Sequence, residues 1–331
     1  MSSSQLGLSR EIALDLLQHA ILAPSSYNTQ PWYFRLRDGG IDLYADRLCA
    51  LPVNDPEDRE LTMSCGCALF NLRVAAAHAG VPIRVSLLPR PDDADLLASI
   101  ELGSQGVIPP DLAALHRGIA QRRTWRKPFT AVPVPALVTQ ALVDAASEEH
   151  AWFGVIGGAA QDVDLRRLTG ELIGEADAVL WSNRSWRREQ ASWMHPRRVG
   201  QGIAIPGLSA SLAQAVVRTF DLGNGVAARD RNLVDGSPLL AVIGTDGDTV
   251  EHWLLAGQAL QRVLLSGCID GLQASYLNQP IVVPSLRTRL QTLIGTAGFP
   301  QVLLRLGYPV HQTSASARRP LQEVIDTWSA D

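Results

Sequence analysis

The chain has 331 residues, 46% of them hydrophobic, which supplies a substantial core for one large domain or two. With 29 basic residues against 33 acidic ones the net charge is −4, and no basic tract stands out, so nucleic acid is not an expected partner. No window approaches about eighteen uninterrupted apolar residues and the start of the chain has no apolar signal segment, so no membrane span or secretory signal is expected, and the reading is cytoplasmic. The cysteines Cys49, Cys65, Cys67 and Cys268 are too sparse for a disulfide framework. Cys65 and Cys67 lie on different faces of a helical run, and the histidines have no ligand spacing, so no metal is expected.

In chain order, Ser9 caps a helix that runs on Ile12, Leu16, Leu17 and Ile21. Ala23-Pro24-Ser25-Ser26-Tyr27-Asn28-Thr29-Gln30-Pro31-Trp32 follows. Its prolines and short polar side chains make a tight helix-to-strand turn, and their density exceeds what a turn needs. Such a stretch can present several donors and acceptors to a flat polar ligand; a well-capped turn is the plainer reading. Strands at 32–37 and 41–44 are joined by Asp38-Gly39-Gly40, a hairpin signal. Asn54-Asp55-Pro56-Glu57 starts an Ala-rich helix, apolar on most sides and therefore buried, that stops at Gly80. Strands at 83–88 and 99–102 precede a helix over 112–123, which ends in Arg122-Arg123-Thr124-Trp125-Arg126. A helix at 135–146, a strand at 151–156 and a helix from about 162 to 186 come next.

Residues 182–220 hold Trp186, Trp193, several arginines and Ile205-Pro206-Gly207, with a clean period only at 209–220. A lid and a plain surface excursion both account for them. A strand at 239–245 leads to a second buried helix, from 249 to Gly271. Residues 275–277, a short extended run, lead into a candidate active-site loop, Asn278-Gln279-Pro280, and a helix at 286–294 and a strand at 302–306 precede a polar tail with Arg318-Arg319-Pro320-Leu321. Gly223-Asn224-Gly225-Val226-Ala227-Ala228 fits a dinucleotide fingerprint only loosely, with no strand before it, and no G-x-S-x-G occurs.

The A-P-S-S-x-N-x-Q-P-W turn resembles the flavin-contacting turn of the nitroreductase family, which binds FMN. The resemblance implies that Pro24, Ser25, Ser26, Asn28 and Gln30 surround the ring and ribityl chain, with Asn28 the foremost side-chain contact. Arg122, Thr124 and Arg126 match by position the family's R-x-S/T-x-R/K run, which serves the phosphate and ring edge. Gln279-Pro280-Ile281 resembles in part the loop that passes the ring near N5, with Val282 where Glu or Gly is common. The tail resembles the family's basic pair, and Arg318 or Arg319 is assigned to the phosphate. The chemistry suits these residues: phosphate favours guanidinium forks, and a reduced ring favours a fixed positive charge near N1. Taken alone, 122–126 reads as a basic helix end complementing the dipole, and 318–319 as a solvated tail.

Cys65-Gly66-Cys67-Ala68-Leu69 can be laid over Ala256-Gly257-Gln258-Ala259-Leu260, with Gly80 then falling on Gly271. The expected fold is therefore α+β: a duplicated nitroreductase-like unit of mainly antiparallel sheets and long buried helices, with a pseudo-twofold. The halves are expected at 1–110 and 111–331, the second with the lid candidate 182–220. This resembles the Acg-like, twin-domain branch of the family: a monomer with a built-in pseudo-dimer, further dimerisation being left open. The implied activity is FMN-dependent oxidoreduction by a ping-pong hydride mechanism. NADH or NADPH is the donor, and a nitroaromatic, quinone or related small molecule is the substrate. The cofactor performs the hard step, so no catalytic side chain is named. The alternatives are an FMN-storing protein with little turnover and a flavin-dependent dehydrogenase or oxidase of one metabolite.

Overall fold

The computed structural model describes residues 3–103, 105–157, 163–194, 200–203 and 209–326. The first half comprises α1 (Ser3–Ala20), β1 (Trp32–Arg37), β2 (Gly40–Ala45), α2 (Arg59–His78), β3 (Ile83–Leu87) and β4 (Leu96–Leu102). Two short helices, α3 (Pro110–Ala114) and α4 (His116–Gln121), lead to α5 (Ala136–Ser147) and β5 (Trp152–Ile156). An insert follows whose described elements are helices: α6 (Val163–Ser182), α7 (Arg184–Ser192), α8 (Ser209–Thr219) and α9 (Gly223–Asp235). The chain then forms β6 (Leu239–Thr245), α10 (Val250–Ile269), β7 (Gln273–Tyr276), α11 (Gln279–Val282), α12 (Pro284–Ile294), β8 (Phe299–Gly307) and β9 (Ile325–Asp326).

The two sheets have one topology. The first runs β3-β4-β2-β1 with β9 added at its edge, and the second runs β7-β8-β6-β5. Every pairing is antiparallel except β1 with β9. Each sheet sends its second strand into a long helix, α2 or α10, and these two helices pack directly on each other. Small residues allow the approach. A Cβ on Gly66 would strike the Leu254 carbonyl, and one on Gly257 would strike that of Met63. The helices also stop alike: Val81 N donates to Ala76 O at 2.9 Å and Leu272 N to Gly267 O at 2.8 Å. Gly80 and Gly271 supply the left-handed residue each stop requires, at φ 70° and 84°. These symmetric crossings and stops bear out the overlay of residues 65–69 on 256–260.

Burial explains the composition. Nearly all of α2 is buried, so its Ala, Cys and Gly residues are packing choices. β1 alternates, with Trp32, Phe34 and Leu36 inward, whereas β6 is buried throughout and reads as a continuous apolar run. One hydrophobic cluster spans both halves, from Leu16 and Phe34 to Val263 and Leu304.

Several boundaries differ from the sequence expectation. The helix expected to be capped by Ser9 already runs from Ser3, and the helix expected to start at 54–57 starts at Arg59. The strand expected at 99–102 begins at Leu96. The helix expected over 112–123 breaks at Leu115 into α3 and α4. The helix expected to run from 162 to 186 stops at Ser182. There Asn183 leaves helical geometry, and its side chain accepts from Ser185 N at 2.9 Å and Trp186 N at 3.3 Å, restarting the chain as α7. The rejected fingerprint at 223–228 is the first part of α9. Of the 182–220 stretch, 195–199 and 204–208 lie outside the described residues. Among the described residues no helix is long and apolar enough to cross a membrane.

Candidate active site

The turn after α1 is held in an uncommon conformation. Tyr27, Asn28 and Gln30 have φ of 49°, 57° and 52°, a left-handed geometry that costs side-chain-bearing residues about 1 kcal/mol or more each. Hydrogen bonds impose it. Gln30 N donates to Ser25 Oγ at 3.0 Å, and the Gln30 amide donates to Gly200 O at 2.7 Å and accepts from Arg319 N at 2.9 Å. Asn28 Nδ2 reaches Ala317 O at 3.2 Å, and its Oδ1 accepts from Arg318 Nη1 at 3.1 Å. The side chains of Asn28 and Gln30 thus lock the turn to the 200–203 segment and the tail.

Arg318 continues this lock. Its guanidinium donates to the carbonyls of Ile21, Leu22 and Ala23 at 3.0–3.1 Å. Burial, and then the charges of Arg122 and Arg123, pull its pKa down to about 10. Arg122 is itself buried, reaches Leu22 O at 3.5 Å, and has an Nε without a hydrogen-bond partner. Arg126 is exposed, and desolvation by the neighbouring chain lowers its pKa. Tyr276 of β7 faces Arg122, Arg126 and Arg318, and burial raises its phenol pKa. Among the described residues no carboxylate makes a salt bridge to Arg122, Arg123, Arg126 or Arg318. The other tail arginine, Arg319, is ion-paired with Asp46 at 3.0 Å.

The basic run lies beside β7. Thr124 bridges to Ala274, Trp125 N donates to Ala274 O at 2.8 Å, and the Trp125 side chain is buried. The 278–281 segment comes in from the other end of β7. Pro280 and Ile281 point into the core, while Gln279 Nε2 donates to Asp230 Oδ2 at 2.7 Å.

Glu60, in the first turn of α2, ties the two halves of the site together. It accepts from Ser26 Oγ at 2.7 Å, Asn54 Nδ2 at 3.3 Å and Asn278 Nδ2 at 3.1 Å. Burial and then the Glu60 charge push neighbouring Asp55 up to about 6. From above, α7 settles on the first half. Glu189 accepts from Val53 N and Asn54 N at 2.9 and 2.8 Å, and Trp186 Nε1 donates to Asn54 Oδ1 at 2.8 Å. Gly202 N donates to Asn28 O at 3.1 Å.

The structure thus brings together the turn, Arg122, Thr124, Arg126, the 278–281 segment and Arg318. Sequence reasoning placed Asn278 in a candidate active-site loop but missed Glu60 and Asn54 as its polar link to the turn. Asn54 and Asn278 each open a stretch singled out in the sequence, but nothing in the sequence shows that both reach Glu60.

No family model matches the chain. It is 30% identical over 327 residues to a Mycobacterium tuberculosis protein named "Putative NAD(P)H nitroreductase Rv3131", across 96% of this chain and 91% of that one. It is 28% identical over 327 residues to "Putative NAD(P)H nitroreductase acg" of the same organism, across 97% of both. Among solved structures, the FMN-dependent nitroreductase NfnB from Mycobacterium smegmatis in complex with NADPH aligns at 18% identity and a TM-score of 0.43. That alignment covers 66% of this chain and 99% of NfnB. The chain belongs to the nitroreductase family.

Proposed function

We propose that this protein is an FMN-dependent oxidoreductase that draws electrons from NADH or NADPH and reduces small electron-poor molecules such as nitroaromatics or quinones. One observation carries the reading: arginines gather around Tyr276 without an acid, beside a strained polar turn. A buried, unpartnered guanidinium nitrogen and unneutralised positive charge call for an outside anion. The phosphate of FMN has the right charge, and its flat polar ring suits the adjoining turn. The names of the Mycobacterium tuberculosis relatives and of NfnB accord with this choice.

In this reading Arg122, Arg126 and Arg318 hold the phosphate with Thr124. FMN, when bound, supplies the two-electron hydride chemistry. The chain's part is to bind, orient and shield. Pro24, Ser25 and Ser26 form the wall beside the ring, and Asn28 and Gln30 keep that wall rigid through the tail. Gln279, Pro280 and Ile281 form the opposing edge, tied to the turn through Asn278 and Glu60. Arg319 secures the tail on Asp46. We also assign residues 1–110 and 111–331 to the two repeated halves, with a single complete site per chain.

The docking of α7 and 200–203 on the turn supports a second reading, in which this cover admits few substrates and the protein retains FMN with little turnover. The absorption spectrum of purified protein, with flavin released and counted, tests the first reading. One FMN per chain, lost in Arg122→Ala, is expected; a protein that refuses added FMN overturns it. Rapid oxidation of NAD(P)H by the loaded protein separates reductase from store.

A further inference from the structure

The three carbonyls at the end of the basic run are all held by arginines from outside it. Arg305 donates through Nη2 to Trp125 O at 2.9 Å and through Nη1 to Lys127 O at 3.0 Å. Arg229 Nη2 donates to Arg126 O at 3.3 Å. Arg305 sits on β8 and is 1% exposed, with its guanidinium 4.8 Å from the centre of the Phe129 ring. A buried cation on a central strand is costly, and an apolar residue would pack the sheet more cheaply. Desolvation lowers its pKa to about 10, against the opposing charge of Asp230. Asp230, on α9, also takes the amide of Gln279 at 2.7 Å. One carboxylate therefore faces the arginine behind the basic run and holds the first residue of α11.

We propose that Arg305, backed by Asp230, is a positioning residue of this site. Its planar fork fixes the backbone on both sides of Arg126, so that the Arg126 guanidinium stands as an anion receptor. Asp230 sets the 278–281 segment in the same frame. A lysine cannot replace it, because one ammonium does not span two carbonyls in a fixed fork. The inference rests on the FMN reading, since the anion is taken to be the phosphate of FMN.

FMN and riboflavin differ only in that phosphate, so comparing their affinities by fluorescence titration isolates the anion contact. In the wild type FMN is preferred. In Arg305→Met the FMN affinity falls about thirty-fold while that of riboflavin changes less than about twofold, the scale of a lost charge-assisted hydrogen bond. Arg305→Lys gives the same loss of preference and carries the measurement if the methionine variant fails to fold. Asp230→Asn gives a smaller loss of the same kind. Equal weakening of both ligands, which a merely structural role would produce, overturns the proposal, as does an unchanged preference for FMN. A wild-type chain that binds neither flavin overturns the FMN reading and this inference with it. A wild type that prefers FMN, with arginine variants that still do so, sinks the positioning role alone.

Discussion

Each half leaves a helix through a turn and enters its sheet at a tryptophan, yet the two turns have opposite fates. The first spans 21–31, between α1 and Trp32; the second spans only 148–151, between α5 and Trp152. At the first, Arg122 and Arg318 approach the turn and meet carbonyls but no acid. At the second, Glu149, 3% exposed, makes salt bridges to Arg73 and Arg262, the latter at 2.9 Å. Arg262 also pairs with Asp111 at 2.5 Å. Among the described residues, one turn leaves its arginines without a carboxylate partner, and the other neutralises them with the chain's own carboxylates. A duplicated fold can keep its symmetry in strands and helices while its two sites diverge through a few charges and a shortened loop.

Removing the internal carboxylate is the harshest test of this contrast. Glu149→Ala leaves two arginines facing an emptied position and is expected to cost about 3–5 kcal/mol in urea unfolding, as breaking a buried pair does. The flavin count per chain should not change. A loss below about 1 kcal/mol would mean that the second turn is not held by these charges.

Next in size is the symmetry axis. Gly257→Ala pushes a Cβ into the Met63 carbonyl at the helix crossing and should cost about 1–3 kcal/mol, by thermal or chemical denaturation. Gly225→Ala, on α9 where an added Cβ meets nothing, is the control and should be stabilising by up to about 1 kcal/mol through helix propensity alone.

The insert α6–α9 gives a third test. It stands between β5 and β6, where the first half has only a tight hairpin. Within it Asp177 is 2% exposed, and burial followed by the charge of Asp230 pushes its carboxyl up to about 7. Gln279 and Arg231 oppose the shift. A raised folded pKa means that the folded state holds the proton more tightly. The associated stability is full at low pH and is lost as pH rises from about 4, the unfolded value, through about 7. The melting temperature of the wild type should therefore fall between pH 5 and pH 8 relative to that of Asp177→Asn. Parallel curves for the two proteins would remove Asp177 from the account. The smallest effect is expected from Ser26→Ala, about 1 kcal/mol, through its lost hydrogen bond to Glu60.

Much of this was legible because local chemistry and tertiary role agree. The turn at 24–30 announces itself by residue type, and Gly66, Gly80, Gly257 and Gly271 mark the duplication because backbone geometry tolerates nothing else there. Glu60 was not legible. An acid in the first turn of a helix is ordinary, and only the fold shows that Ser26 and Asn278 both reach it. Arg305 was hidden for a similar reason: within β8 it reads, with Gln301, as a polar residue in an otherwise apolar strand, and its partners lie far away in sequence. The break at Asn183 was missed because helical spacing continues across it, while the cap acts over three residues.

The pairing of β9 with β1 bears on how the protein matures. Phe34 and Arg35 lie opposite Ile325 and Asp326, so the chain returns to a sheet laid down near its beginning, carrying Arg318 past the turn as it does so. A nascent chain stopped before residue 316 has the strained turn and the basic run but lacks the arginine that bonds the turn's carbonyls and Asn28. Both sheets' other strands are complete by residue 307. On the reading proposed above, the phosphate site has all its arginines only once the tail has returned to β1.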